Sequence, residues 1–508
     1  MTSAPRALQS ADGGPLDLAA VEGALSADFT VVTGPARAVR QARLDTFDRR
    51  LDEAGLTLEH RSSASGEELV LVRPDSAPPL LSPATDLRSP AFAHDLPDGA
   101  LRAVVSPVIG IRALMAVTDE KRRVRRVEVH DQDGKTVARL DLDEPVAATS
   151  TQPAEVRVLS LRGYDDAARR TTRLLSGIGL RPPEAEDRGP ADVPSPEDMA
   201  PAAAATVLLA GALNGYLGAM RENLPGLLDD VDTEFLHDFR VAVRRTRSTL
   251  KLGRPALPEV MRSRWEPAFK WLGDLTTPMR DLDVYQLDLP TMSGWLVAAA
   301  PGDLEPFVAH LQRRRSAERR TLVRGLRSAR YAALVADWER ALTDLADTSS
   351  DQTPDQSSEV LTAGALAGTS ISRAFRRVAR DGGAVTADSP SEDLHSLRKR
   401  CKELRYALEV FTPVIDKPAR KSAVGDLKAL QDVLGRFQDS EVQGAALREF
   451  AEEMVSDGTS AGAVLAMGEL VGRLDAEQDR ARQDFESAFA RFVGPATRVR
   501  MQRLGGAG

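Results

Sequence analysis

The 508-residue sequence has a single cysteine, Cys401, which excludes an intrachain disulfide framework and suits a reducing compartment. Aromatic residues make up only 5% of the chain against 42% hydrophobic residues, so its cores must be mainly aliphatic. No apolar run approaches the ~20 residues that a membrane span needs. The start, "MTSAPRALQSADGGPLDLAA", lacks the basic-then-apolar order of a secretory signal. A soluble cytoplasmic protein with no membrane partner is the expectation. Six histidines and one cysteine show no metal-ligand spacing, which speaks against a zinc site. Lysine is scarce, nine against 58 arginines, a bias that reflects a GC-rich genome more readily than selection for phosphate. A large excess of one charge is also missing. The net charge is −8, and residues 1–200 hold 25 basic and 32 acidic side chains, so the remainder is close to neutral. Any anion site must therefore be a local patch rather than a product of the global field.

What the sequence does contain is an echo. "LHDFRVAVRRTRSTL" (236–250) returns 158 residues later as "LHSLRKRCKELRYAL" (394–408). Without a gap, His237 matches His395, Arg240 matches Arg398, Arg244 matches Lys402 and Arg247 matches Arg405. At the same offset Lys270 meets Lys428, Asp274 meets Asp432, and Asp281 meets Asp439. One offset across all these columns marks an internal duplication.

A chain this long exceeds one ordinary core. Residues 1–20 read as a flexible tail. From 21 to 182, short β-rich runs ("EELVLVRP", "RRVRRVEVHD", "AEVRVLSLR") alternate with helical pieces, and "HDQDGKTVARLDLD" (130–143) has the Asp-Gly turn of a hairpin. Residues 183–203, rich in Pro, Ala and acid, read as a linker. Helical periodicity then runs from 204 to 508, and the polar "DTSSDQTPDQSSE" (347–359) divides it into repeats of about 204–345 and 360–500.

On a helical wheel of about 100° per residue, Arg240, Arg244, Arg247 and Lys251 fall within roughly 80° of His237. Leu236, Phe239, Val243 and Leu250 gather on a neighbouring face. The second copy repeats the pattern, with Cys401 on its apolar side and Glu409 in place of Lys251. Each helix should bury one side and hold a row of cations, about 15 Å long, at the edge of the core. Such a row suits a long polyanion better than a single phosphate. It has few acidic partners three or four residues away, so its self-repulsion is largely unrelieved. A solvated charged face is the plain alternative, and for both histidines so is a hydrogen-bonded, half-buried ring. Near phosphate, an imidazole would gain a proton readily and donate to an oxygen. Two further basic segments stand nearby in sequence, "HLQRRRSAERRTLVRGLRSARY" (310–331) with Arg320, Arg324 and Arg327, and "SRAFRRVAR" (372–380) with Arg373, Arg376 and Arg377.

From about 204 to 495 the sequence resembles the CHAD family. The resemblance rests on "EFLHDFRVAVRRTRSTL", "WLGDLTTPMRDLDV", "LRSARYAAL", "LHSLRKRCKELRYALEVF" and "LKALQDVLGRFQDSEV". It implies an all-α domain of two helical bundles related by a pseudo-twofold axis, with basic faces that bind inorganic polyphosphate. The family's basic positions fall on His237, Arg240, Arg244, Arg245, Arg247, His395, Arg398, Lys399, Lys402 and Arg405, and further on Lys270, Arg280 and Lys428. Thr277 stands where the family usually has Gly, and Gln438 replaces an arginine.

Residues 21–182 are similar to a degenerate CYTH, or triphosphate tunnel, domain, an α+β antiparallel β fold. The similarity lies in "LDTFDRRLDEAGLTLEHR" (44–61), "DQDGKTVARLDLDEPV" and "AEVRVLSLRGYDDAARRTTRLLSGIGL". The opening signature Glu-x-Glu-x-Lys is missing from the expected first strand, "ADFTVVTG". A later strand keeps Glu155 but has Arg157 where a second carboxylate is expected. Triphosphate hydrolysis in such tunnels needs carboxylates to hold Mg²⁺ or Mn²⁺. The expectation is polyphosphate binding without catalysis, with no catalytic residue, metal or cofactor assigned. An inorganic triphosphatase and a nucleic-acid or other phosphate-rich partner binder are the alternatives. Association with polyphosphate granules is left open.

Overall fold

The computed structural model describes residues 6–10, 15–64, 66–73, 79–84, 87–146, 153–182, 199–350 and 361–506. The chain divides into two compact units, Met1–Asp192 and Val193–Gly508.

In the first unit the described strands are β1 (Arg6–Ser10), β2 (Thr30–Asp45), β3 (Thr57–Ser63), β4 (Gly66–Val72), β5 (Leu80–Pro83), β6 (Met115–His130), β7 (Thr136–Pro145), β8 (Glu155–Ser160) and β9 (Leu180–Arg181). They form one antiparallel sheet in the order β5-β4-β3-β2-β6-β7-β8-β1-β9. Its spine is the long β2–β6 pair. Gly34 and Pro35 break the register of that pair between Thr33 and Ala36, because proline has no N–H for the ladder and a Cβ at Gly34 would lie 3.1 Å from the Arg126 carbonyl. The hairpin expected over 130–143 is β6–β7. Its turn is fixed by the Asp131 carboxylate, which accepts from the backbone N–H of Asp133 and Lys135, and by Gly134 at φ 75°.

Strand alternation separates two faces. Helices α1 (Leu18–Ser26) and α4 (Asp165–Gly177) set Leu25 and Leu175 against Val127, Leu140 and Val158. Helices α2 (Arg50–Glu53) and α3 (Ala100–Ile109) set Leu51 and Val105 against Leu44, Leu58 and Leu71. The intervening residues, such as Glu59, Arg61, Asp141, Asp143, Glu155 and Arg157, face a cavity of about 860 Å³ on the other side.

Two expectations need correction. Residues 6–10, read as part of a flexible tail, are strand β1, held between β8 and β9 with Leu8 buried in the core. Five residues are too few for alternation to show in the sequence, and the strand depends on pairing with distant partners. The sheet therefore opens with β1 and not with "ADFTVVTG", whose residues run into β2. Gln9 is the β1 residue that faces the cavity, and the strand contains no glutamate or lysine. Most of the expected linker (183–198) and residues 351–359 of the expected divider lie outside the described residues.

In the second unit every described element of length is helical: α5 (Ala205–Asp229), α6 (Thr233–Leu252), α7 (Glu259–Ser293), α8 (Glu305–Leu326), α9 (Ala329–Ser350), α10 (Ala363–Gly383), α11 (Ser391–Val410), α12 (Lys417–Ser456), α13 (Ala461–Phe492) and α14 (Pro495–Gly505). Helix α6 starts cleanly because the Asp232 carboxylate accepts from the N–H groups of Glu234 and Phe235. Its apolar stripe, including Phe235, Leu236, Phe239 and Val243, is buried. Helices α10, α11 and α12 begin 158 residues after α5, α6 and α7 respectively. The register holds at the seam too. Ala205 N donates to Leu361 O at 3.0 Å, and Ala363 N donates to Ala203 O at 2.7 Å. Under the 158-residue offset each bond is the image of the other, which is the mark of a local twofold axis. A second join is apolar, where Leu282, Tyr285 and Phe307 pack with Leu447, Phe450 and Leu470.

Candidate functional site

Helices α6 and α11 meet at the twofold seam. Arg244 lies over the ring of Tyr406, 5.6 Å from its centroid, and Arg245 reaches Glu409 at 3.3 Å. Helix α10 completes a cleft of about 600 Å³. Among the described residues, seven cationic side chains line it: Arg244, Lys251 and Arg254 from the first repeat, and Arg373, Arg377, Lys399 and Lys402 from the second. Glu403 is the one carboxylate among them, and it already faces Arg400 at 3.1 Å and Arg377 at 3.7 Å. Cations gathered this way repel each other. Burial, together with Arg398 and Arg244, pushes the Lys402 ammonium down to about 8. Neutral donors from Ser248, Thr369, Ser370 and Tyr406 stand among the charges. The arrangement can hold a multiply charged anion by charge-assisted hydrogen bonds.

The structure thus brings together six of the residues singled out in sequence: Arg244, Lys251, Arg373, Arg377, Lys399 and Lys402. The others sit elsewhere. Arg240 turns onto α7, donating to the Gly273 carbonyl and to the hydroxyls of Thr276 and Thr277. Burial lowers its pKa. Thr277 therefore holds an arginine in the first repeat. At the matching Gly435 there is no hydroxyl, and Arg398 pairs instead with Asp439 at 3.0 Å. Arg247 lies over Gly273, where an added Cβ would be 3.0 Å from its guanidinium, and Arg405 bonds Glu409 and Gln431. Arg280 donates to the Thr233 carbonyl, and Lys270 pairs with Asp274 at 2.6 Å. Lys428, Arg320, Arg324 and Arg327 are exposed outside the cleft lining, and Arg376 folds back on the Ser372 carbonyl.

Neither motif histidine lines the cleft. His237 is half-buried, and burial and then Arg280 push its imidazole below the ordinary value. His395 lies 2.9 Å from the Glu441 carboxylate and packs on Phe437. Cys401 is buried on the apolar face, its thiol pushed up to about 12 by burial.

Sequence reading missed Arg254, Ser248, Thr369, Ser370 and Tyr406. A signal existed for two of them, because Thr369, Ser370, Arg373 and Arg377 share one face of a helical wheel.

The cavity of the first unit has a different character. The sequence suggested that the opening carboxylates were gone and that Glu155 alone remained on the later strand, but Glu59, Asp141, Asp143 and Glu155 all face it. Each is bonded to arginine: Glu59 to Arg61 at 2.6 Å and Arg157 at 3.2 Å, Glu155 to Arg157 at 2.9 Å, Asp141 to Arg126 at 2.8 Å, and Asp143 to Arg122. Burial pushes the Glu59 carboxyl up, yet Arg157 and Arg61 hold it below its ordinary value. Among the described residues, no three His, Cys, Asp or Glu side chains cluster as a metal seat.

Residues 211–448 match the CHAD domain family. The helical unit carries a CHAD domain. Among solved structures, the chain is similar to the CHAD domain from the plant Ricinus communis, with 24% identity, a TM-score of 0.48, and coverage of 58% of this chain and 93% of that one. It is also similar to PptA from Streptomyces chartreusis, at 18% identity and a TM-score of 0.43 over 56% and 99% of the two chains. A putative adenylate cyclase from Bacillus halodurans is similar at 16% identity and a TM-score of 0.25, over 37% of this chain and 94% of that one. No curated protein matches the sequence. No helix among the described residues is long and apolar enough to cross a membrane.

The depressed Lys402 has a consequence for the free protein. An unfolded chain holds this proton up to the ordinary lysine value of 10.5, the folded one only to about 8. Below pH 8 both states are charged and folding bears the full penalty. Between 8 and 10.5 stability rises with pH as the folded state sheds the proton, and above 10.5 the penalty is gone. Lys402→Met should therefore stabilise the ligand-free protein at pH 7 by about 1–2 kcal/mol, allowing for partial exposure. In thermal melts, that gain should hold from pH 7 to about 8 and then shrink toward zero by pH 10.5.

Proposed function

We propose that this protein binds inorganic polyphosphate in the α6–α10–α11 cleft and does not turn it over. The observation that carries the reading is the cleft itself, in which seven cations from both repeats face a single carboxylate. A polyphosphate chain carries about one negative charge per unit, so a crowded row of cations matches it as it matches nucleic-acid phosphates. The CHAD resemblance points to the same ligand. Nucleic acid fits less well. Single strands are held by stacking bases on aromatic side chains, and the one aromatic in the lining, Tyr406, is buried with Arg244 over its ring.

The absence of catalysis is supported by the first unit. Glu59, Asp141, Asp143 and Glu155 in its cavity are engaged by arginines, and a divalent cation would have to displace Arg61, Arg122, Arg126 or Arg157 to reach their oxygens. These ion pairs also neutralise the arginines that would clamp a triphosphate.

The binding reading is tested by Lys251→Glu combined with Arg373→Glu, titrated with long-chain polyphosphate. Each charge-assisted contact is worth roughly 1.5–3 kcal/mol when desolvated, so affinity should fall by about two orders of magnitude or more. Wild-type affinity should itself drop steeply with salt as counterion release is suppressed. Arg169→Glu with Arg170→Glu, in exposed pairs with Asp166 and Asp28 of the first unit, should leave binding nearly unchanged. Equal losses in both double variants would mean that net charge alone matters. For catalysis, tripolyphosphate and nucleoside triphosphates should not be hydrolysed above background with Mg²⁺ or Mn²⁺. Metal-dependent turnover that survives repurification and vanishes on deleting residues 1–182 would contradict the proposal.

A further inference from the structure

We infer that the duplication creates two twofold-related clefts and that only the one beside α10 takes phosphate, so the helical unit seats a polyanion once. This rests on the polyphosphate reading and adds to it which wall selects the ligand. The 158-residue offset maps the α6–α10–α11 cleft onto a second position between α11, α5 and α6. Arg244 and Lys402 map onto each other, so both positions share that central pair.

The flanks are not equivalent. Helix α10 presents Thr369, Ser370, Arg373 and Arg377 to the cleft. The same positions on α5 are Gly211, Ala212, Gly215 and Ala219, which offer an anion no side-chain donor. Lys251 is replaced by Glu409, and Lys399 by Val241. The exchange at 409 reverses the charge at the mouth of the second position. That carboxylate is already held by Arg405 at 2.8 Å and by Arg245 at 3.3 Å, so the local arginines there are engaged. Space differs as well. Small Ala374 lines the armed cleft, whereas its counterpart is Tyr216, half-buried, with its phenol pKa raised by burial.

Local symmetry therefore sets the backbone of both positions, and side chains on α10 decide which one binds. One carboxylate placed at the same point of each wall makes the comparison. Thr369 and Gly211 are equivalent, both are exposed, and a Cβ at Gly211 meets nothing within 4 Å. Calorimetric titration with inorganic tripolyphosphate, short enough to report single sites, should give one site per chain for the wild type. Thr369→Glu should weaken it by about tenfold or more, as a like charge in a partly desolvated cleft does, while Gly211→Glu should change it less than about twofold. If Thr369→Glu loses its helical circular dichroism, Arg373→Gln supplies the same reading against Gly211→Glu. Two equivalent sites, or equal weakening by the two variants, would overturn the asymmetry and leave the polyphosphate reading standing. Failure of the wild type to bind tripolyphosphate and long chains alike would overturn both.

Discussion

Like charges held side by side with a single carboxylate, Glu403, among them set the terms for the helical unit. Arg244 and Lys402 approach each other across the seam of α6 and α11, and burial first, then Arg398 and Arg244, depress the Lys402 ammonium. Such crowding survives because the opposite faces of the same helices are deeply buried. Phe235, Leu236 and Phe239 on α6, and Leu394, Leu397, Cys401 and Leu404 on α11, are all in the core. Burying each large apolar side chain is worth about 1.5–3 kcal/mol, whereas two partly exposed like charges a few ångströms apart repel by about 1–4 kcal/mol. Several such burials per helix offset the repulsion, and an arriving polyanion relieves it.

The first unit resolves its charges the other way. Alternation along β3, β7 and β8 brings carboxylates and arginines onto one face of the sheet, where they bond each other. Arg157 shows how one residue changes the chemistry of a cavity. Burial alone would lower its pKa, but Glu59, Glu155 and Asp143 together raise it. The guanidinium ties up two oxygen-bearing residues that a metal would otherwise need. The CHAD-bearing unit keeps an open cationic cleft, and the β unit pairs the carboxylates of β3, β7 and β8 with arginines.

Much of this was legible in the sequence because helical periodicity is local. The stripe on α6, its repetition on α11 and the β6–β7 hairpin follow from spacing, the antiparallel character of the whole first unit came from the family resemblance, and the repeat offset recurs in three helix starts. What stayed hidden depends on contacts between distant segments. The sequence shows Arg240 in line with Arg244, but only the packing of α7 reveals that Thr276 and Thr277 draw it away. Likewise the second stripe shows few acidic partners along its helix, Glu409 beside Arg405 being one, yet α12 supplies Asp439 and Glu441 from across the bundle. Strand β1 escaped notice because five residues carry too little pattern, and Arg254 because it lies past the end of its helix.

Proton linkage tests most directly whether the polyanion seats at the α6–α11 seam. A phosphate chain beside Lys402 should return its depressed pKa toward the ordinary lysine value. Titrating the protein with long-chain polyphosphate in buffers of different ionisation enthalpy then counts protons taken up. The account predicts uptake approaching one proton per site near pH 9, falling to about a tenth near pH 7, and its loss in Lys402→Met. Tight binding with no proton uptake at pH 9, or with uptake unchanged in Lys402→Met, would place the ligand elsewhere and contradict the account.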